Sequence, residues 1–126
     1  MKKLFNLSGH RNETLDELGY EFPGVVQVNP EAPLNETAAL YLGWLVTLGI
    51  TSGDTVTVVL PGMSGLAGIA MAAIHGLTGT FPSVTTMVRQ KDGSFKPSID
   101  LDLQAFRNNV ARTHRDSIVD LSIQRV

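Results

Sequence analysis

Ser8-Gly9-His10-Arg11-Asn12 brings an imidazole, a guanidinium and a hydroxyl into one polar turn. An imidazole can donate to a phosphate or act as a general acid or base near neutral pH, and a guanidinium can hold a phosphate through two parallel bonds. A second turn, Pro61-Gly62-Met63-Ser64-Gly65, brings two glycines and a serine after an apolar run. Each turn leads towards a helix start, where unpaired backbone N–H groups favour an anion. Both turns together make the candidate ligand site, with His10 and Arg11 as its candidate catalytic groups. Gly62 and Gly65 can equally serve a tight turn alone, because neither the dinucleotide fingerprint nor a phosphate loop with its lysine is present.

The other chemistry-bearing residues read more plainly. His75 lies between Ile74 and Gly76 in an apolar stretch and is expected to be a hydrogen-bonded core or interface residue. His114, among Arg112, Arg115 and Asp116, reads as solvated, and Arg89 and Arg107 read as salt-bridge partners. Arg11 itself is open to the same reading as a surface guanidinium in a turn. Trp44 suits a core or interface better than a base-stacking platform. There is no cysteine, and the three histidines lack metal-ligand spacing, so neither a disulfide framework nor a zinc site is expected.

The elements that must hold the two turns follow from pattern. Leu4–Leu7 reads as a short buried strand, and Asn12 can cap a helix beginning at Glu13. Gly24–Val28 reads as a second, β-branched strand. Asn35 is expected to cap a helix that runs through Trp44 to Leu48 and stops at Gly49. Thr55–Leu60 is apolar on both faces, as a central parallel strand should be. The helix from about Ser64 to Leu77 carries Ser64, Gly68, Ala72 and Gly76 four apart, a face that admits very close approach by the sheet or by a second copy of the chain. Pro82–Arg89 reads as a fourth strand, Asp92-Gly93 as a turn, and Asp102 to Arg115 as a last helix; the tail 118–126 is left open between strand and disorder. Strands alternating with helices at this spacing argue for one α/β domain over residues 1–126, Rossmann-like, with a mostly parallel sheet of four to five strands in the order 2-1-3-4. In such sheets ligands bind beyond the carboxyl ends of the strands, where the order reverses; here that is between the first and third strands, which bear the two turns.

Composition narrows the class. At 126 residues the chain suits one domain with a proper core. With 43% hydrophobic and 17% charged residues it is apolar for its size, which suggests a subunit interface and a homodimer. Residues 55–88 carry no charge, but Pro61, Gly62, Gly79 and Pro82 break them well short of the ~20 apolar residues of a membrane span. The apolar run after Lys2-Lys3 ends by Asn6 and Ser8, so no secretion signal is read and a cytoplasmic protein is expected. Net charge is −2, with the basic residues gathered after position 88, which allows a polyanionic ligand but does not favour duplex DNA.

Taken in order, Asn6-Leu7-Ser8-x-His10, Leu60-Pro61-Gly62, the small-residue helix ending Ile74-His75-Gly76, Gly79-x-Phe81-Pro82 and Asp102-Leu103-Gln104-Ala105-Phe106-Arg107 resemble the small accessory proteins of type III CRISPR systems, specifically the Csx family numbered fifteen. The resemblance covers most of the chain, and it is the ordered set that carries it. It implies a Rossmann-like fold akin to the sensor domains that bind cyclic oligoadenylate. It further implies binding of the cyclic tetra-adenylate second messenger across a homodimer, a ligand that could also link dimers into larger assemblies. The messenger's level would fall by metal-independent ring opening, as in a ring nuclease, or by sequestration, as in a sponge. On this resemblance Ser8 and His10 match the family's first-loop serine and histidine, and Pro61 and Gly62 its third-strand loop. The chain departs from the family by placing Gly9 between Ser8 and His10, which alters the aim of the histidine. Two further readings stand beside it: a small Rossmann-like enzyme acting on a nucleotide or sugar phosphate, and a non-enzymatic adaptor subunit.

Overall fold

A computed structural model describes residues 1–115. The elements run β1 (Lys2–Asn6), α1 (Glu13–Glu17), α2 (Leu34–Thr47), β2 (Thr55–Val59), α3 (Ser64–Thr78), β3 (Ser83–Thr85), β4 (Met87–Arg89), β5 (Phe95–Pro97), β6 (Leu101–Asp102) and α4 (Leu103–Val110), the last continuing into a wide π-type turn over Ala111–Arg115. The tail 118–126, expected as strand or disorder, lies outside the described residues.

Four strands form a mixed, mostly parallel sheet in the order β1-β2-β3-β6. β1 pairs β2 in parallel, with Phe5 opposite Val58, and β2 pairs β3 in parallel, with Val58 opposite Val84; β6 closes the far edge antiparallel to β3. The central place of β2 explains its sequence. Val56, Thr57, Val58 and Val59 are all buried, so a strand covered on both faces carries a continuous β-branched run instead of an alternating one. Above it, α2 and α3 pack on each other and on the sheet through Tyr41, Leu45, Ala70 and Ile74.

Local signals set several boundaries. The Asn12 carboxamide oxygen accepts the Leu15 N–H at 3.1 Å and starts α1. Gly79, at φ +92°, ends α3 by donating its N–H to His75 at 2.8 Å, a left-handed position that a side chain would strain.

Three expectations need correction. Gly24–Val28 is not a strand. The place beside β1 is taken by a single residue, Glu21, which donates its N–H to the Leu4 carbonyl and accepts from the Asn6 N–H. Pro23, which has no N–H, and Gly24, at φ +101°, then turn the chain out of pairing, and Val25 is left exposed. The sheet order is therefore 1-3-4 in the sequence's numbering, without its second strand. Asn35 does not cap α2 but lies in its first turn: the cap position falls two residues earlier, at Pro33, whose ring already sets the turn. Pro82–Arg89 is not one strand but two, divided at Thr86, where the chain leaves β2 and β6 and pairs with β5 as a separate hairpin.

Ser64, Gly68, Ala72 and Gly76 face away from the sheet. All four are exposed, and a Cβ built on Gly68 or Gly76 would meet nothing within 4 Å. Of the two expected uses of this face, close approach by the sheet is thereby ruled out. No helix among the described residues is long and apolar enough to cross a membrane.

Candidate functional site

The last residue of β1 organises the first loop. Asn6 is fully buried, and its side chain stitches the turn into a closed unit. Its Nδ2 donates to the His10 carbonyl at 2.9 Å, while its Oδ1 accepts from the Ser8 N–H at 3.1 Å and from the Ser8 hydroxyl at 2.6 Å. The His10 N–H in turn donates to Ser8 Oγ at 3.2 Å. The tightness requires Gly9 at φ +81°. His10 is held through its backbone, so its exposed imidazole has no hydrogen-bond partner among the described residues.

A cavity of about 530 Å³ opens beyond the carboxyl ends of β1, β2 and β3. Ser8, His10, Arg11 and Asn12 line it from the first loop, and Pro61 and Gly62 from the loop after β2. Of the sequence-derived site residues, six thus meet at one cavity. Four do not line it. Gly9 turns towards Val25, Gly65 packs under Leu34, and Met63 and Ser64, the cap and first residue of α3, are exposed outside the cavity.

The remaining walls are apolar: Leu15 from α1, Val59 and Leu60 from the end of β2, Val84 from β3, and Met87 and Phe95 from the β4–β5 hairpin. Thr85 and Thr86 add hydroxyls. Thr85 is buried and donates its one hydroxyl proton to Asp100, so the Tyr20 hydroxyl, 3.2 Å away, must be the donor to Thr85. That chain ties the floor of the cavity to the loop before β6. A half-open, mostly apolar hollow with a few convergent polar groups has the chemistry of a small-molecule site.

The charged residues divide by partner. Arg11 Nε lies 3.3 Å from Asp16 Oδ2, and its guanidinium sits 5.3 Å from the Phe22 ring, so much of its charge is spent within its own turn. Arg107 lies on α4 in a second, apolar groove against Gly68, Met71, Ala72 and Phe81, and donates to Asn108. His75 is half-buried with its ring 4.3 Å from Phe81, and its imidazole makes no hydrogen bond among the described residues, which corrects the expected hydrogen-bonded side chain. Trp44 is half-buried against the core beside Tyr41, and His114 is exposed.

Sequence reasoning missed Asn6, Thr85, Met87 and Phe95. Asn6 carried a usable signal, a polar residue ending an apolar strand two before a serine. The hairpin residues carried none, because their place depends on the turn at Thr86.

No family model, no curated protein and no solved structure matches this chain.

Proposed function

We propose that this protein is a Rossmann-like binder of cyclic tetra-adenylate that lowers the level of this messenger in the cytoplasm, by ring opening or by sequestration. The observation that carries the reading is the cavity itself: it lies beyond the carboxyl ends of the parallel strands, between the loops after β1 and β2. The likeness of Asn6-Leu7-Ser8-x-His10 and Leu60-Pro61-Gly62 to the Csx family numbered fifteen supplies the ligand's identity.

A hollow of about 530 Å³ suits one nucleotide unit of the ring and not the whole. The rest of a near-fourfold ligand would then meet a second copy, so a homodimer offering the same loops twice is part of the proposal. The open face of Gly68, Ala72 and Gly76 is available for that contact.

Ring opening would proceed by attack of a ribose 2′-oxygen on the adjoining phosphorus. The P–O5′ bond breaks, the 2′-hydroxyl proton is lost, the 5′-oxygen takes one up, and a 2′,3′-cyclic phosphate remains. His10, with its free imidazole at the cavity, is placed to move a proton, and the rate would come chiefly from holding the attacking oxygen in line.

Incubation with radiolabelled cyclic tetra-adenylate and a chelator tests the reading. Retarded, intact ligand means sequestration, and linear products mean a ring nuclease. If micromolar protein gives no retardation and no products, the reading is overturned.

A further inference from the structure

The β4–β5 hairpin stands apart from the main sheet. It joins it at Thr86 and Ser98, where the Ser98 N–H donates to the Thr86 carbonyl at 2.8 Å and the two hydroxyls lie 3.0 Å apart. Its register pairs Met87 with Pro97, Val88 with Lys96 and Arg89 with Phe95. Side chains alternate along a strand and directly paired residues share a face. Met87, Arg89, Phe95 and Pro97 therefore lie on one face, and Val88 and Lys96 on the other.

The cavity identifies the inner face, since Met87 and Phe95 both line it. Phe95 is 49% exposed on that wall and has no aromatic partner among the described residues. Arg89 stands directly across the hairpin from it, exposed and without an ion pair or hydrogen bond among the described residues. Arg11, by contrast, is already paired with Asp16. An open aromatic ring on the cavity wall, with an unpaired guanidinium cross-strand from it on the same face of the hairpin, matches a flat base with a phosphate attached.

We propose that the hairpin Met87–Pro97 is the nucleotide-reading wall of the cavity, with Phe95 stacking on a base and Arg89 holding the adjoining phosphate. This deepens the functional reading above and rests on it for the choice of adenylate. Thr85 and Thr86, at the foot of the hairpin, border the same space.

Isothermal titration of the full-length protein with cyclic tetra-adenylate, AMP, adenosine and inorganic phosphate tests this, on the parent and on Phe95→Ala, Arg89→Ala, Arg89→Lys and Lys96→Ala. Loss of stacking should weaken binding by about five- to a hundredfold in Phe95→Ala. Loss of a charge-assisted bond should weaken phosphate-bearing ligands by about ten- to a hundredfold in Arg89→Ala. Arg89→Lys should recover part of that loss, adenosine should be indifferent to Arg89, and Lys96→Ala, on the outer face, should match the parent. Melting temperatures should agree throughout, which separates lost contacts from a damaged fold. If the parent binds cyclic tetra-adenylate and neither Phe95→Ala nor Arg89→Ala weakens it, the hairpin assignment falls and the functional reading stands. If the parent ignores cyclic tetra-adenylate but binds AMP with the same dependence on both residues, the messenger reading falls and the hairpin assignment stands. If no nucleotide binds, both fall.

Discussion

Asn6→Ala tests whether the first loop is built from the strand beneath it. The Asn6 carboxamide makes three hydrogen bonds, to the His10 carbonyl, the Ser8 N–H and the Ser8 hydroxyl. Each is worth about 0.5–1.5 kcal/mol net, so their joint loss amounts to about 2–4 kcal/mol. For a chain between the small and larger size classes, 1 kcal/mol moves the melting temperature by roughly 3–5 °C, which gives a fall of roughly 6–20 °C. Ser8→Ala removes the hydroxyl but keeps its N–H bonded to Asn6, so it should fall by less. The double variant should lose less than the sum of the two, with a coupling of about 1 kcal/mol, because both single changes break the same 2.6 Å bond. Differential scanning calorimetry on the four proteins measures this. An Asn6→Ala midpoint within about 2 °C of the parent would mean that the carboxamide does not hold the loop. Additive losses would mean that Ser8 and Asn6 act separately.

Three further outcomes follow from other parts of the molecule. Hydrogen bonds from Lys3, at 2.8 Å, and from the Thr51 N–H hold the Asp54 carboxyl well below the usual carboxylate range. Its contribution is therefore complete above the unfolded value of about 3.9 and is lost as pH falls below it, and Asp54→Asn should flatten the acid limb of a stability–pH curve; an unchanged limb refutes the pairing. The buried Tyr41 hydroxyl has no hydrogen-bond partner among the described residues, and burial pushes its pKa up to about 12, so stability should decline as pH rises from about 10 towards that value, and Tyr41→Phe should remove the decline while holding or raising the neutral-pH midpoint. Gly68→Ala should raise the stability of the chain by about 1 kcal/mol, since its Cβ meets nothing and alanine favours a helix; on the proposed homodimer through this face, light scattering should give a dimer mass for the parent and a monomer mass for Gly68→Trp, and a parent monomer, or a dimer that survives Gly68→Trp, refutes that use of the face.

What the sequence made legible, it made legible through burial. β2 could be read because burial on both faces imposes a β-branched run from Val56 to Val59, and α3 because small and apolar residues recur at helical spacing. The Ser8–Asn12 turn was readable from its Gly9 and its density of polar groups. Gly24–Val28 misled for the same reason that β2 did not: a short β-branched run looks alike whether or not a neighbour accepts its hydrogen bonds. Here Glu21 already occupied the edge of β1, and Val26 met the core from an irregular segment.

The cavity wall was hidden by a different limit. Pro82–Arg89 keeps strand-like composition throughout, yet the chain changes partners in the middle of it. Thr86 is the pivot: its N–H and hydroxyl turn to Ser98 instead of continuing the ladder with β2. Nothing in a period of two marks such a switch, because both sides of it are extended backbone. Its consequence is chemical, since an unbroken strand would carry Met87 along the sheet, away from Phe95. The break puts Arg89, Phe95 and Met87 on one face of the hairpin, from which Met87 and Phe95 line the cavity beside the loops of His10 and Pro61. A site that looked like two loops is in three dimensions two loops and a hairpin, and the third part is the one that supplies an open ring and an unspent positive charge.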